Sequence, residues 1–315
     1  MPSFLITGGC GFVGRHLSNA LLSQGNQVTV VDESLRVDLV KRQPSSDLRS
    51  VAGSLANRAT SSLDDLVRES DYVFHLAARH NFKDSSSRLV LDANYKATQV
   101  LLDAVAKHKR RTIVASSYEV YPDPNTSPVD EASDLRLDER RGCVGHVLAK
   151  IADECMAREL SELATIARVF PTVGPGQRNF VHPMPMMLSS ALQNLPIKIS
   201  HTGEEEYGFL HIDDLVRWLT QLVQTESAIG KTVNIGNPTA MQLAEIACCI
   251  IKDTKSESEI HFAPLGQRTK FKDSPKPSIS LLETLVGASP YSSTQEAIHL
   301  MSQWARSAQL PLIQN

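Results

Sequence analysis

A basic excess, long apolar runs, paired cysteines and internal repeats are all missing from this chain of 315 residues. Lys and Arg number 32 against 35 Asp and Glu, a formal charge of −3, so the composition offers no cationic surface of the kind that nucleic acid or anionic lipid selects. No apolar run approaches the roughly 20 residues of a membrane span. The opening residues Met1-Pro2-Ser3-Phe4 place no basic segment ahead of the first apolar run. These absences predict a soluble, cytoplasmic protein with a small-molecule substrate and no nucleic-acid or membrane partner. The five cysteines (Cys10, Cys143, Cys155, Cys248, Cys249) are odd in number and form no CxxC pair. That excludes an obvious zinc site or disulfide framework, so no metal is expected and most of the thiols are expected to be buried.

What the chain does have is an ordered N-terminal unit. A short apolar strand at Phe4-Leu5-Ile6 leads into Thr7-Gly8-Gly9-Cys10-Gly11-Phe12-Val13-Gly14, then an amphipathic run to Gly25, then a second apolar strand from Gln27 that ends in Asp32. Strand, glycine turn, helix and strand closed by an acid is the first half of a dinucleotide-binding βαβ unit. Gly8 and Gly11 allow the tight turn and the approach of backbone amides to a pyrophosphate, and Gly14 lets the helix pack closely on the strand. Asp32 can accept hydrogen bonds from the adenosine ribose hydroxyls and repels a 2′-phosphate. The expected cofactor is therefore NAD rather than NADP.

Further along, the stretch 33–50 has no clear period and reads as loop with a short helix. Residues 51–55 predict a brief third strand, with Ser54 and Leu55 near the adenine. The run 71–78 ends in Leu76, Ala77 and Ala78, as a buried parallel strand does where it meets a cofactor. A long amphipathic helix over 84–108 carries Asn94, and a strand over 111–116 follows. A helical pattern over 141–163 places Ala152, Cys155, Met156 and Leu160 on one face. From Pro171 onward Pro and Gly interrupt the alternation. The expectation is a Rossmann-type doubly wound parallel α/β sheet over 1–170, with returning segments over about 208–236, and a smaller irregular substrate lobe over 171–315. A helix over 212–224, a strand over 231–235 and a last helix over 294–308 are expected, the last with Trp304 in the core.

The ordered motifs Thr7-to-Gly14, His75-Leu76-Ala77-Ala78, Asn94-Tyr95, Ser117-Tyr118-Glu119-Val120-Tyr121, Lys150, Arg168-Val169-Phe170 and Phe209-to-Asp214 resemble the extended short-chain dehydrogenase/reductase family. The likeness is to its NAD-dependent sugar-nucleotide epimerases and dehydratases in particular. The resemblance implies hydride transfer at a sugar or alcohol carbon. In the family a Tyr takes the hydroxyl proton, a Ser or Thr orients the oxygen, and a Lys grips the nicotinamide ribose. By motif, Ser117 and Lys150 fill the last two roles, and Phe12, Val13 and Phe170 join the cofactor set. The resemblance also implies a homodimer paired through the 84–108 and 141–163 helices.

Four positions depart from the pattern. His146 stands four residues before Lys150, where the family has its tyrosine. Three readings stay open: His146 is the base; another group (Tyr118, Tyr207, Cys143 or His80) moves the proton while His146 orients; or hydride chemistry is lost. Tyr118-Glu119 replaces the dehydratases' Asp-Glu pair, which leaves a carboxylate for elimination or epimerisation, or a Glu that only bonds its own loop. Pro171 and Tyr207 occupy the places where relatives grip a diphosphate, beside the acidic run Glu204-Glu205-Glu206. Arg178 and Arg268 are candidates for a rearranged anion site, and His80 for a substrate contact. The expected function is an epimerase/dehydratase-like reaction through transient oxidation. The alternatives are a net oxidoreductase on a non-nucleotide substrate and a non-catalytic NAD-binding protein.

Overall fold

The computed structural model of the chain describes residues 1–34, 47–55, 60–79, 87–121, 128–135, 137, 144–177, 183–199, 202–263 and 274–307. Strands and helices first alternate: β1 (Ser3–Thr7), α1 (Phe12–Ser23), β2 (Gln27–Asp32), β3 (Leu48–Ala52), α2 (Thr60–Arg68), β4 (Tyr72–His75), α3 (Ser87–His108), β5 (Arg111–Ser117), α4 (Val144–Glu159) and β6 (Ala164–Val169). Shorter pieces follow: β7 (Thr172–Val173), α5 (Pro183–Leu192), β8 (Ile197–Ile199), β9 (Glu206–Tyr207), β10 (Leu210–His211), α6 (Ile212–Gln224), β11 (Thr232–Ile235), β12 (Met241–Gln242), α7 (Leu243–Thr254), β13 (Ile260–Phe262), α8 (Ser280–Val286) and α9 (Thr294–Ser307).

The main sheet has seven strands in the order β11-β6-β5-β4-β1-β2-β3, and every neighbouring pair is parallel. A parallel sheet must be covered on both faces, and the period of two along β1 shows how. Phe4 and Ile6 pack with Leu17 and Leu21 of α1 and with Leu215, Trp218 and Leu219 of α6. Leu5, on the opposite face, packs with Leu63 and Leu66 of α2 and Leu101 and Val105 of α3. A separate apolar cluster forms between α5, α7 and α9, through Met184, Met187, Ile246, Ile250, Ile298 and Met301. Trp304 packs against it while only partly buried. Among the described residues, no helix is long and apolar enough to cross a membrane.

The strand order reverses between β1 and β4. A doubly wound sheet opens a crevice beyond its strands' carboxyl ends at that point. The third strand is Leu48–Ala52 rather than 51–55, so Ser54 and Leu55 lie in the turn after it. The expectation for the thiols is overturned: Cys10 is buried, but Cys155 and Cys248 are exposed and Cys249 is half-buried. Cys143 lies outside the described residues.

Of the residues expected to share one face of α4, Met156 packs against a core cluster, as does Leu160 just beyond the helix. The helix buries His146, Lys150, Asp153, Glu154 and Ala157, while Cys155 points outward. An apolar stripe marked one side of the helix, but polar partners on β5, β6 and α3 claim the other.

Candidate active site

The crevice is built around Gly8. Its N–H reaches across to Val31 O at 2.8 Å, and the Gly11 N–H closes the turn onto Gly8 O at 3.0 Å. Gly8 has φ +71°, and a Cβ there would lie 2.8 Å from the Ala77 backbone. The turn therefore presses against the strip after β4, as required for backbone amides to approach a ligand. Gly11 caps α1 with no side-chain hydrogen bond, so the first N–H groups of the helix, from Phe12 and Val13 onward, face an anion site. A Cβ on Gly14 would sit 2.2 Å from Gly8 O and 2.7 Å from Gly9 Cα, against backbone that cannot yield. Gly14→Ala is expected to lower stability by about 1–3 kcal/mol and to abolish retention of dinucleotide, checked by calorimetric titration and thermal melting.

Gly8, Gly11, Asp32, Ser54, Leu55 and Asn94 line the cleft together with the 76–79 strip. The Asp32 carboxylate accepts from Cys10 N and Ser34 N, both at 3.0 Å, which fixes it at the end of β2. Glu33 beside it forms a forked pair with Arg79 at 3.0 and 3.1 Å. A hydrogen bond from Ser54 does most to hold the Glu33 carboxyl below its usual range; burial opposes this and Arg79 adds to it. Asn94 spends its amide on the backbone of Arg79, accepting at 2.7 Å and donating at 3.1 Å. It thus pins the strip as well as lining the cleft. A tight glycine cradle, an open helix N-terminus and two carboxylates at the ribose end fit an adenine dinucleotide, and they disfavour one carrying a 2′-phosphate.

Beside the cleft, at the carboxyl end of β5, lies the second cluster. Ser117 Oγ accepts from Glu119 N at 3.2 Å, folding the chain into a single 3-10 turn over Tyr118–Val120. Ser117 Oγ also donates to Glu119 Oε2 at 3.4 Å, and His146 Nε2 stands 3.8 Å from that same oxygen. One turn along α4, Lys150 Nζ donates to Ala115 O at 2.7 Å and to Asp153 Oδ2 at 3.3 Å. Four candidates that the family resemblance placed in one site, Ser117, Glu119, His146 and Lys150, are thus clustered at or beside β5. Asp153 was not among the candidates. A Lys-x-x-Asp spacing on an active-site helix was the available signal.

Other candidates land elsewhere. Phe170 is 2% exposed and packs among Val120, Tyr121 and Val129. Tyr118 leans on it, with ring centroids 5.7 Å apart. Tyr207 is 4% exposed and stacks on Phe209 with ring centroids 5.8 Å apart, within the α5-α7-α9 cluster. Pro171 is buried as well, and its carbonyl receives Leu210 N at 2.9 Å. Tyr207 lies in β9, paired with β12, and Pro171 directly precedes β7; neither side chain is open to solvent in this structure. Glu205 accepts from Thr202 N and Gly203 N, and Glu206 pairs with Lys276 at 2.6 Å, so two carboxylates of this acidic run have partners within the protein. His211 caps α6 by accepting from Asp213 N, and burial lowers its pKa. His80, Arg178 and Arg268 lie outside the described residues.

A doubly wound sheet with a glycine cradle at its switch point, and a Ser-Glu-His-Lys cluster one strand away, defines a Rossmann-type dinucleotide-dependent enzyme. The chain matches the model of the NAD dependent epimerase/dehydratase family over residues 4–236. It belongs to that family, and is therefore an NAD-dependent enzyme of the epimerase/dehydratase type. Among curated relatives, a UDP-N-acetyl-alpha-D-glucosaminuronate decarboxylase of Bacillus cytotoxicus is 28% identical, over 96% of this chain and 97% of its own length. UDP-glucuronic acid decarboxylase 1 of Xenopus tropicalis is also 28% identical, over 94% of this chain and 70% of that protein. Among solved structures, the epimerase Mth375 of Methanothermobacter thermautotrophicus shares the fold with a TM-score of 0.85 at 23% identity, covering 98% of this chain and 93% of that one. The NAD-dependent NDP-hexosamine 5,6-dehydratase TunA, from tunicamycin biosynthesis, shares it with a TM-score of 0.77 at 24% identity, covering 98% of each.

Proposed function

We propose that the enzyme transiently oxidises a hydroxyl carbon of a nucleotide-linked sugar, moves a proton at the activated neighbouring carbon, and ends with no net redox change. The observation that carries this reading is the continuous contact of Ser117, Glu119 and His146 beside Lys150, at the sheet edge next to the cofactor cleft. NAD, when bound, supplies a reversible hydride acceptor. The chain's own residues do the rest. Ser117 orients the reacting oxygen. His146 and Glu119, 3.8 Å apart, place an imidazole and a carboxylate at the same spot, two groups able to take a proton from one atom of the substrate and return it to another. Lys150 holds the nicotinamide ribose, Asp32 the adenosine ribose, and the amides from Gly11 to Val13 the pyrophosphate.

Elimination, epimerisation and decarboxylation all begin with the same oxidation. The two decarboxylase relatives make nucleotide-linked hexuronic acids the first substrates to test. Pro171 and Tyr207 stand where the family's diphosphate donors would be, so substrates without a nucleotide belong in the same test. The experiment is incubation of purified protein with nucleoside-diphosphate hexuronic acids, the matching hexoses and the free sugars, followed by chromatography. Conversion of a nucleotide sugar with no accumulation of NADH supports the reading; conversion of a free sugar with one NADH per turnover overturns it.

Two further results are expected. Asp32→Ser removes the ribose acceptor and the charge that repels a 2′-phosphate, so NAD affinity falls about tenfold and NADP becomes a ligand in a parallel titration. We also propose a homodimer formed through α3 and α4. Leu89 and Tyr95 are exposed large side chains on α3, and Cys155 is exposed on α4. Sedimentation is expected to give twice the monomer mass, and a monomer at micromolar concentration would refute it.

A further inference from the structure

Behind Lys150 lies a buried polar chain that no step of the proposed reaction uses. Asp153, 1% exposed, takes the Lys150 ammonium on Oδ2 at 3.3 Å and the Thr98 hydroxyl on Oδ1 at 2.6 Å. Thr98 Oγ1 is 2.9 Å from His75 Nε2, and His75 Nδ1 is 2.8 Å from Thr7 Oγ1. The proton directions follow from the ends of the chain. Thr98 has one hydroxyl proton and gives it to the carboxylate, so His75 Nε2 must be the donor to Thr98. His75 is fully enclosed, and burial drives its pKa down to about 4 against the pull of Asp153, so the ring is neutral and Nδ1 accepts from Thr7. Thr7 Oγ1 in turn receives Ala77 N at 3.4 Å, from the strip that lines the cofactor cleft. Four secondary-structure elements (β1, β4, α3 and α4) are joined in a single directed sequence ending on the lysine.

We propose that Asp153 is a positioning residue for Lys150: its carboxylate, fixed by the Thr98-His75-Thr7 chain, holds the ammonium at Ala115 O, where it meets the nicotinamide ribose. Helix stability does not explain the pair. A Lys placed three residues before an Asp runs against the helix dipole, the weaker of the two orders. A buried pair is also commonly no more stabilising than apolar side chains of the same volume. What the arrangement supplies is geometry. Among the described residues, two of the ammonium's three donors are taken, by Ala115 and Asp153.

The proposal rests on the reading of Lys150 as the residue that grips the nicotinamide ribose, and the test separates the two. NAD and ADP are titrated calorimetrically into the nucleotide-freed full chain and its variants, because ADP fills only the adenosine end. Lys150→Met is expected to weaken NAD and leave ADP unchanged; equal NAD affinity in this variant sinks the Lys150 reading itself. Asp153→Asn is expected to weaken NAD about tenfold, to leave ADP within about twofold, and to raise the apparent KM for NAD more than it lowers kcat. In the Lys150→Met background, Asp153→Asn is expected to have no further effect on NAD. Thr98→Val keeps the carboxylate but removes its anchor. It is expected to weaken NAD severalfold, and it serves as the same test where Asp153→Asn does not fold. If Lys150→Met weakens NAD but neither Asp153→Asn nor Thr98→Val does, Asp153 has no positioning role. Multiplying effects in the double variant, or a parallel loss of ADP binding in Asp153→Asn, overturn the proposal too.

Discussion

Replacing His146 with Phe is expected to lower turnover by about 100- to 10,000-fold, the range lost when a positioned acid-base group is removed, with NAD binding unchanged. The expectation follows from contact geometry. His146 Nε2 stands 3.8 Å from Glu119 Oε2, and Ser117 Oγ stands 3.4 Å from that same atom. A phenyl ring keeps the volume and planarity of the site but has no atom able to carry a proton. The cofactor cleft is lined by other residues, so a titration with NAD separates loss of chemistry from loss of fold. His146→Tyr restores the family's usual group on the same turn of α4 and is expected to retain more activity than His146→Phe. Glu119→Gln keeps the hydrogen bonds of the turn and removes the charge, and is expected to fall in the same range as His146→Phe. Turnover in His146→Phe and Glu119→Gln equal to that of the unaltered enzyme would mean that neither side chain moves a proton.

Glu154→Gln is expected to be the most destabilising single change on α4, costing about 3–5 kcal/mol because it leaves a buried guanidinium uncompensated, or roughly 5–8 °C in Tm for a chain of this size. Glu154 receives Arg168 Nε at 2.9 Å and Nη2 at 2.8 Å, with Ser116 Oγ at 2.6 Å. The two side chains are 0% and 2% exposed. Arg168 Nη1 also donates to Tyr121 Oη at 2.8 Å, and Tyr121 donates to Asn234 Oδ1 at 2.6 Å. The network therefore ties α4 to β5, β6 and β11, and with them the helix that carries His146 and Lys150. Burial alone would raise the Glu154 carboxyl pKa, but the Arg168 hydrogen bonds and charge outweigh it and bring it below 4.5. Because the folded value is depressed, this stability is fully present above the unfolded value of 4.5 and is lost as pH falls through the lower folded one. Acid titration of thermal stability is expected to fall less steeply in Glu154→Gln than in the unaltered protein.

Much of this was legible in the residues. The glycine spacing from Gly8 to Gly14 and the acid at Asp32 announced the cradle, because a tight turn and close backbone approach leave few other choices of side chain. The apolar runs at 4–6, 28–31 and 72–75 announced a buried parallel sheet for the same reason. The 212–224 helix was readable from its period. Contacts that depend on distant partners were not. The helical period along α4 grouped Ala152, Cys155, Met156 and Leu160, but it did not reveal that the helix also turns Asp153 and Glu154 inward to meet Thr98, Ser116 and Arg168. Tyr207 sat at a motif position that suggested a ligand contact, but its pairing with β12 and its stack on Phe209 point it into an apolar cluster. Position along a chain says which element carries a residue; which way the side chain faces is decided by what packs there.

The central claim is a redox-neutral reaction in which Glu119 and His146 move a proton at a carbon next to one that is transiently oxidised. Its most direct test is turnover of the nucleotide sugar in heavy water by the holoenzyme, with product followed by mass spectrometry and NADH by absorbance. The account predicts one solvent deuterium incorporated per product, no net NADH, and incorporation lost in both His146→Phe and Glu119→Gln. Product formed with stoichiometric NADH and no solvent deuterium would contradict it.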